Sequence, residues 1–215
     1  MWFRSLVVGL VAVVTIISSS AQTKADVLYS NGTSAYGSGY YIDGSLSSGS
    51  NEAVAFLVTA PVSLTDMQLV LFTQPGKPMP STISWCVGKQ PFTSSVASGT
   101  ATGATLDVSF LGDRWGWSLY NATISFAPNV SVPSALNPYY LSLFGAAAGT
   151  GWENSLDGVK WSCVGNSTSY ATNGYPPYYI IDGNPTPEPT TLALLVSALL
   201  GYAGVVYLRR RRAKT

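Results

Sequence analysis

The chain of 215 residues has room for one ordinary domain of roughly 150 residues plus extra segments, which excludes two comfortable domains. It contains no histidine, which excludes Ser-His-Asp and Cys-His nucleophilic sites, histidine general bases and the common zinc geometries. Its near-neutral charge is sorted: Asp26 to Glu188 holds all ten acids and only four bases, a net −6, and the other seven bases lie in the terminal segments, so the middle lacks the basic footprint of nucleic-acid binding.

In chain order, residues 1–25 read as a secretory signal peptide. Arg4 supplies the positive n-region, Leu6 to Ile17 is an unbroken apolar or small run, and small residues follow, with cleavage open between Ala21 and Ala25. As an uncleaved anchor the run would cover only ~18 Å of a ~30 Å hydrocarbon core.

Residues 26–184 are rich in Ser, Thr, Gly, Asn and Tyr and carry short β-branched and aromatic runs between turn residues. Strands are expected over Val54–Thr59, Asp66–Phe72, Thr82–Gly88, Thr105–Phe110, Ser118–Phe126, Tyr139–Phe144, Val159–Val164 and Tyr178–Ile181. Alternation is clearest at Met67, Leu69 and Leu71, and at Ile124 and Phe126. With no long helical period in this region, the expectation is an all-β, jelly-roll-like antiparallel sandwich. Tyr40 to Gly44 is echoed at Tyr178 to Gly183, which suggests equivalent edges, direct neighbours or chance similarity.

Cys86 and Cys163 are the only cysteines, and in an exported chain they are expected to form a disulfide, with Trp85 and Trp161 close to it. Two buried free thiols are the alternative. The bridge would contribute roughly 4.5 kcal/mol at most in the chain-entropy view.

Asp107, Asp113, Glu153 and Asp157 are the candidates for a carboxylate pair, but their turn-like contexts favour a structural role, and no enzyme is expected. No cofactor is expected, although acidic, Asn-rich loops could assemble an oxygen-only calcium site. Trp115, Trp117 and Trp152 sit among glycines and polar residues. They are candidate sugar-stacking rings, weighed against the usual role of such residues in the core.

The chain ends in Pro187-Glu188-Pro189, an uncharged run from Thr190 to Leu208, and Arg209, Arg210, Arg211 and Arg212. As a helix the run would be about 28 Å long, enough to span a bilayer, and the arginines would act as stop-transfer residues on the cytoplasmic side. Gly201 and Gly204 could mark a packing face on it. The combination, over residues 185–215, resembles the PEP-CTERM sorting signal of Gram-negative bacteria. That resemblance implies an exosortase-type processing enzyme as partner, a transmembrane intermediate in the inner membrane, and delivery to the cell surface or extracellular matrix. It also implies association with exopolysaccharide. The strand order resembles the small secreted sandwich domains that often precede such tails. A GPI signal fits the basic end poorly, whereas an ordinary type I membrane anchor fits the physics equally well. Asn-x-Ser/Thr triplets at Asn31, Asn121, Asn129 and Asn166 would matter only in a glycosylating host. The expected role is structural or adhesive, the alternative a carbohydrate-binding module.

Overall fold

Strand β4 (Val62–Thr73) is the spine of the molecule, because Met67, Leu69 and Leu71 point inward on alternate positions and its length gives it neighbours along both edges. The computed structural model describes residues 26–32, 34–155, 162–173, 176–186, 195–204 and 206. β8 (Trp117–Val132) runs the whole length of β4 on one side, from Val62 opposite Val132 to Thr73 opposite Ser118. On the other side two strands lie end to end, β13 (Tyr179–Pro185) against Val62–Leu69 and β10 (Thr150–Ser155) against Leu71–Thr73. β1 (Asp26–Ser30) flanks β13, β2 (Ser34–Tyr41) flanks β10, and β7 (Leu106–Arg114) flanks β8, completing a seven-stranded antiparallel sheet.

The second sheet has the order β12 (Tyr170–Asn173), β11 (Ser162–Gly165), β3 (Asn51–Phe56), β9 (Tyr139–Phe144), β5 (Thr82–Gly88) and β6 (Ala97–Thr102). Leu69, Ile124, Trp152 and Tyr179 of the first sheet share one core with Val54, Trp85, Leu141 and Leu143 of the second. The expected antiparallel sandwich is therefore present.

β5 and β9 coincide with the expected strands, and six others overlap them. β1, β2, β6, β10 and β12 were not anticipated, and three of these contain glycine where a ring from a neighbouring strand needs the space. Phe72 lies against Gly151 of β10 and Gly39 of β2, and a Cβ at either position would overlap its ring. Trp85 lies against Gly99 of β6, where an added Cβ would sit 2.7 Å from Cζ2. The Tyr-Tyr echo marks neither neighbours nor matching edges: among the described residues β2 pairs only with β10, whereas β13 is internal, between β1 and β4.

The cysteine pairing requires correction. Cys163, Ala53, Ser142 and Cys86 stand directly opposite one another in register across β11, β3, β9 and β5. Three strand spacings separate the two cysteines by about 14 Å, against the roughly 4.4–6.8 Å between Cα atoms that a disulfide needs. Both are buried free thiols. They face away from the central core: Trp85 packs inward on Phe126, so its neighbour Cys86 points outward. The β5–β6 loop covers this outer face, with Phe92 against Ala53 and Cys163 and its N–H donating to Ser142 Oγ at 2.9 Å. Trp161 lies outside the described residues.

Residues 195–204 are helical, and Leu195, Val196, Leu200 and Tyr202 are exposed rather than part of the core. Among the described residues no helix is long and apolar enough to cross a membrane. The expected signal peptide at 1–25, Pro187-Glu188-Pro189 and Arg209 to Arg212 lie outside the described residues, as does much of the expected transmembrane run.

Denaturation, thiol titration and pH dependence check these packings. Gly151→Ala should destabilise the protein by roughly 2–3 kcal/mol through overpacking, and Phe72→Ala by roughly 3–5 kcal/mol. In a denaturation double-mutant cycle the pair should cost clearly less than the sum, because removing the ring removes the clash. Reduction should leave the mass of the folded protein unchanged, and a thiol reagent should titrate two cysteines only after unfolding. Burial raises the Cys86 thiol from 9.0 to about 11, so the folded state holds that proton more tightly. Its contribution to stability is intact below pH 9 and declines as the pH climbs toward 11, a loss that Cys86→Ala should reduce.

Candidate functional site

β7 and β8 are joined by the two-residue turn Trp115-Gly116, closed by the pair Arg114 and Trp117. Both turn residues have positive φ, 51° and 83°, as a type I′ hairpin turn demands. Asn-Gly is the usual solution. A bulky residue at the first position costs on the order of 1 kcal/mol or more. The Trp115 ring is nevertheless 68% exposed, so burial does not repay that cost. The Arg114 guanidinium carbon lies 4.6 Å from its ring centroid, a cation–π contact that holds the indole at the tip. At the base of the turn Ser118 Oγ donates to Asp113 Oδ1 at 2.7 Å.

From the tip, aromatic surface continues onto the outer face of the first sheet. Trp117 packs edge-on against Phe72, centroids 5.2 Å apart at 86°, and lies 6.4 Å from Tyr41. Tyr41 meets Phe72 at 5.8 Å, and its hydroxyl accepts a hydrogen bond from Gln74 Nε2 at 2.7 Å. Exposed Trp115 and half-buried Trp117 and Tyr41 thus lie beside amide and charged groups at one pole of the sandwich, a combination suited to the apolar faces and hydroxyl edges of sugar rings.

Trp152 does not belong to this set. It is fully buried, packed against Tyr179 at 6.0 Å, with Nε1 donating to the Tyr178 carbonyl at 2.8 Å. Its strand position decides this: Trp152 is on the inward face of β10, and the glycine beside it, Gly151, occupies the outward one. Tyr41 is the member that sequence reading missed, and its only local signal is the Tyr-Tyr pair ahead of an Asp-Gly turn.

The suspected acids do not converge. Asp107 is exposed on β7, Asp113 is engaged by Ser118, Glu153 is buried in β10, and Asp157 lies outside the described residues. Asp66 and Asp182, far apart in sequence, are instead direct cross-strand neighbours. Like charges so placed repel, and each is held by a neutral donor: Ser125 Oγ to Asp66 Oδ1 at 2.7 Å and Gln68 Nε2 to Asp182 Oδ2 at 2.8 Å. Among the described residues no three Cys, Asp or Glu side chains cluster as a metal site would require.

No protein-family profile matches the chain, and no curated protein is significantly similar to it.

If Trp115 is kept for contact rather than for stability, Trp115→Asn should leave the unfolding free energy within about 1 kcal/mol of the parent, because the relieved φ strain offsets the lost cation–π contact. Thermal or urea denaturation reads this directly; a loss several times larger would mark Trp115 as structural.

Proposed function

We propose that this is an exported, non-enzymatic surface or extracellular-matrix protein, delivered through a PEP-CTERM-type tail and adhering to polysaccharide through its aromatic hairpin. The carrying observation is the opposition of the two poles. The chain leaves the sandwich beside Pro61 and Val62, where Thr186 N–H donates to the Pro61 carbonyl, and continues toward Pro187. The Trp115 turn adjoins the other end of β4, at Thr73. Twelve strand residues put roughly 35–40 Å between the two ends. A domain held by its C-terminal side therefore presents Trp115, Trp117 and Tyr41 away from its attachment.

In this reading the arginines 209–212 halt transfer, the apolar run holds the chain in the inner membrane, and the Pro187-Glu188-Pro189 segment, poor in backbone donors, is offered to an exosortase-type enzyme. Stacking of sugar faces on Trp115 and Trp117 supplies the adhesion and requires no cofactor.

Two experiments bear on the two halves of this reading. Mass spectrometry of the mature protein should show a product ending near Pro187; a product retaining Arg209–Arg212 would make it a type I anchored ectodomain instead. Co-sedimentation with the extracellular polysaccharide of the producing cells should weaken at least tenfold in Trp115→Ala. Unchanged sedimentation would remove the hairpin from the adhesive role.

A further inference from the structure

The end of the sandwich from which the chain leaves is formed by two loops tied to each other. β4 begins at Val62, with Val132 of β8 opposite it on one side and Pro185 of β13 on the other. Residues 57–61 lead from β3 into β4, and residues 133–138 lead from β8 into β9, so both connections lie at this end. Ala135 N–H donates to the Val58 carbonyl at 2.9 Å, and Thr186 N–H donates to the Pro61 carbonyl at 2.9 Å. Val58 belongs to the core, and half-buried Ala135 packs against it.

With those two residues turned inward, their neighbours Leu57 and Leu136 are left in water, 51% and 100% exposed. A single leucine on a surface is ordinary. Here two stand on adjoining loops, and neither Leu-Val-Thr-Ala-Pro at 57–61 nor Pro-Ser-Ala-Leu-Asn-Pro at 133–138 contains a charged residue. Together with exposed Ala60 and Pro133 they form an apolar cap on this pole. Charges flank the cap: Asp26 begins β1, beyond β13, and Lys89 follows β5. Contact with lipid would therefore strip no ion in either loop of its water.

The place of the cap relative to the tail decides what covers it. Thr190, where the uncharged run begins, is four residues beyond Thr186, and a chain of that length extends at most about 14 Å. We propose that this pole docks on the surface of the bilayer that receives residues 190–208, with Leu57 and Leu136 entering the boundary between headgroups and acyl chains. The inference rests on the tail-anchored reading above. Two leucines are a small apolar surface for recruiting a protein from solution. The tail makes the contact intramolecular, at high effective concentration, so a small gain suffices. Docking keeps Pro187 at the membrane interface and points the Trp115 turn, at the far end of β4, away from it.

The test places the full chain in vesicles of phosphatidylethanolamine with a minor fraction of phosphatidylglycerol. A fluorophore is attached at Ser134→Cys, an exposed position beside the cap that leaves both leucines in place, and in a control at Lys77→Cys, exposed in the loop after β4 at the hairpin pole. Cys86 and Cys163 are buried, so brief labelling of the folded protein reaches only the introduced thiol. Lipids carrying a nitroxide near the headgroup should quench the Ser134 label at least twofold and leave the Lys77 label unquenched. Adding Leu57→Ser/Leu136→Ser should abolish most of the quenching at Ser134. Both leucines are exposed, so an unchanged melting temperature will certify the fold of that variant. The proposal is overturned if the Ser134 label is quenched no more than the Lys77 label, or if the serine variant is quenched as the parent is. It is also overturned if the label is shielded from aqueous iodide without quenching by lipid, which would put a protein partner or a second copy on the cap. Alkaline carbonate extraction separates the two failures: a chain released from the vesicles overturns the anchored reading and the docking together, whereas a retained chain with no quenching at Ser134 overturns the docking alone.

Discussion

Phe72 reaches across two neighbouring strands because both offer glycine where its ring must lie. Against Gly151 and Gly39 it ties β10 and β2 to the spine strand β4, on the side of the sheet away from the core. Everything at the hairpin pole is built upon that contact. Trp117 and Tyr41 both rest edge-on against the same ring, and the β7–β8 turn is carried on Trp117. A side chain at either glycine would displace the ring and remove the support of the pole. Glycine in these strands therefore weakens local strand propensity and at the same time permits the packing that holds the strands together.

The thiols illustrate a different constraint. Strand register aligns Cys86 and Cys163 in one row, and two intervening strands keep them apart. The Phe92 loop then seals the row, so an oxidant would meet buried, protonated thiols rather than an exposed pair. Stability of this sandwich rests on its apolar core and sheet ladders, without a covalent cross-link between its cysteines.

At the hairpin pole, rings project from a strained turn and are steadied by a cation and by other rings.

The sequence by itself determined the all-β class and the alternation that sends Met67, Leu69, Leu71, Ile124 and Phe126 inward, because period two is a property of a single strand and is written in consecutive residues. It also delimited β5 and β9 to the residue, where β-branched and aromatic runs end at turn residues. Tertiary structure alone decided which strands are neighbours. That choice separated the cysteines, turned Trp152 inward beside Gly151, raised Tyr41 next to Trp117 and set Asp66 opposite Asp182. Each of these depends on residues brought together across long stretches of chain, and no local pattern encodes which distant strand will supply the neighbour.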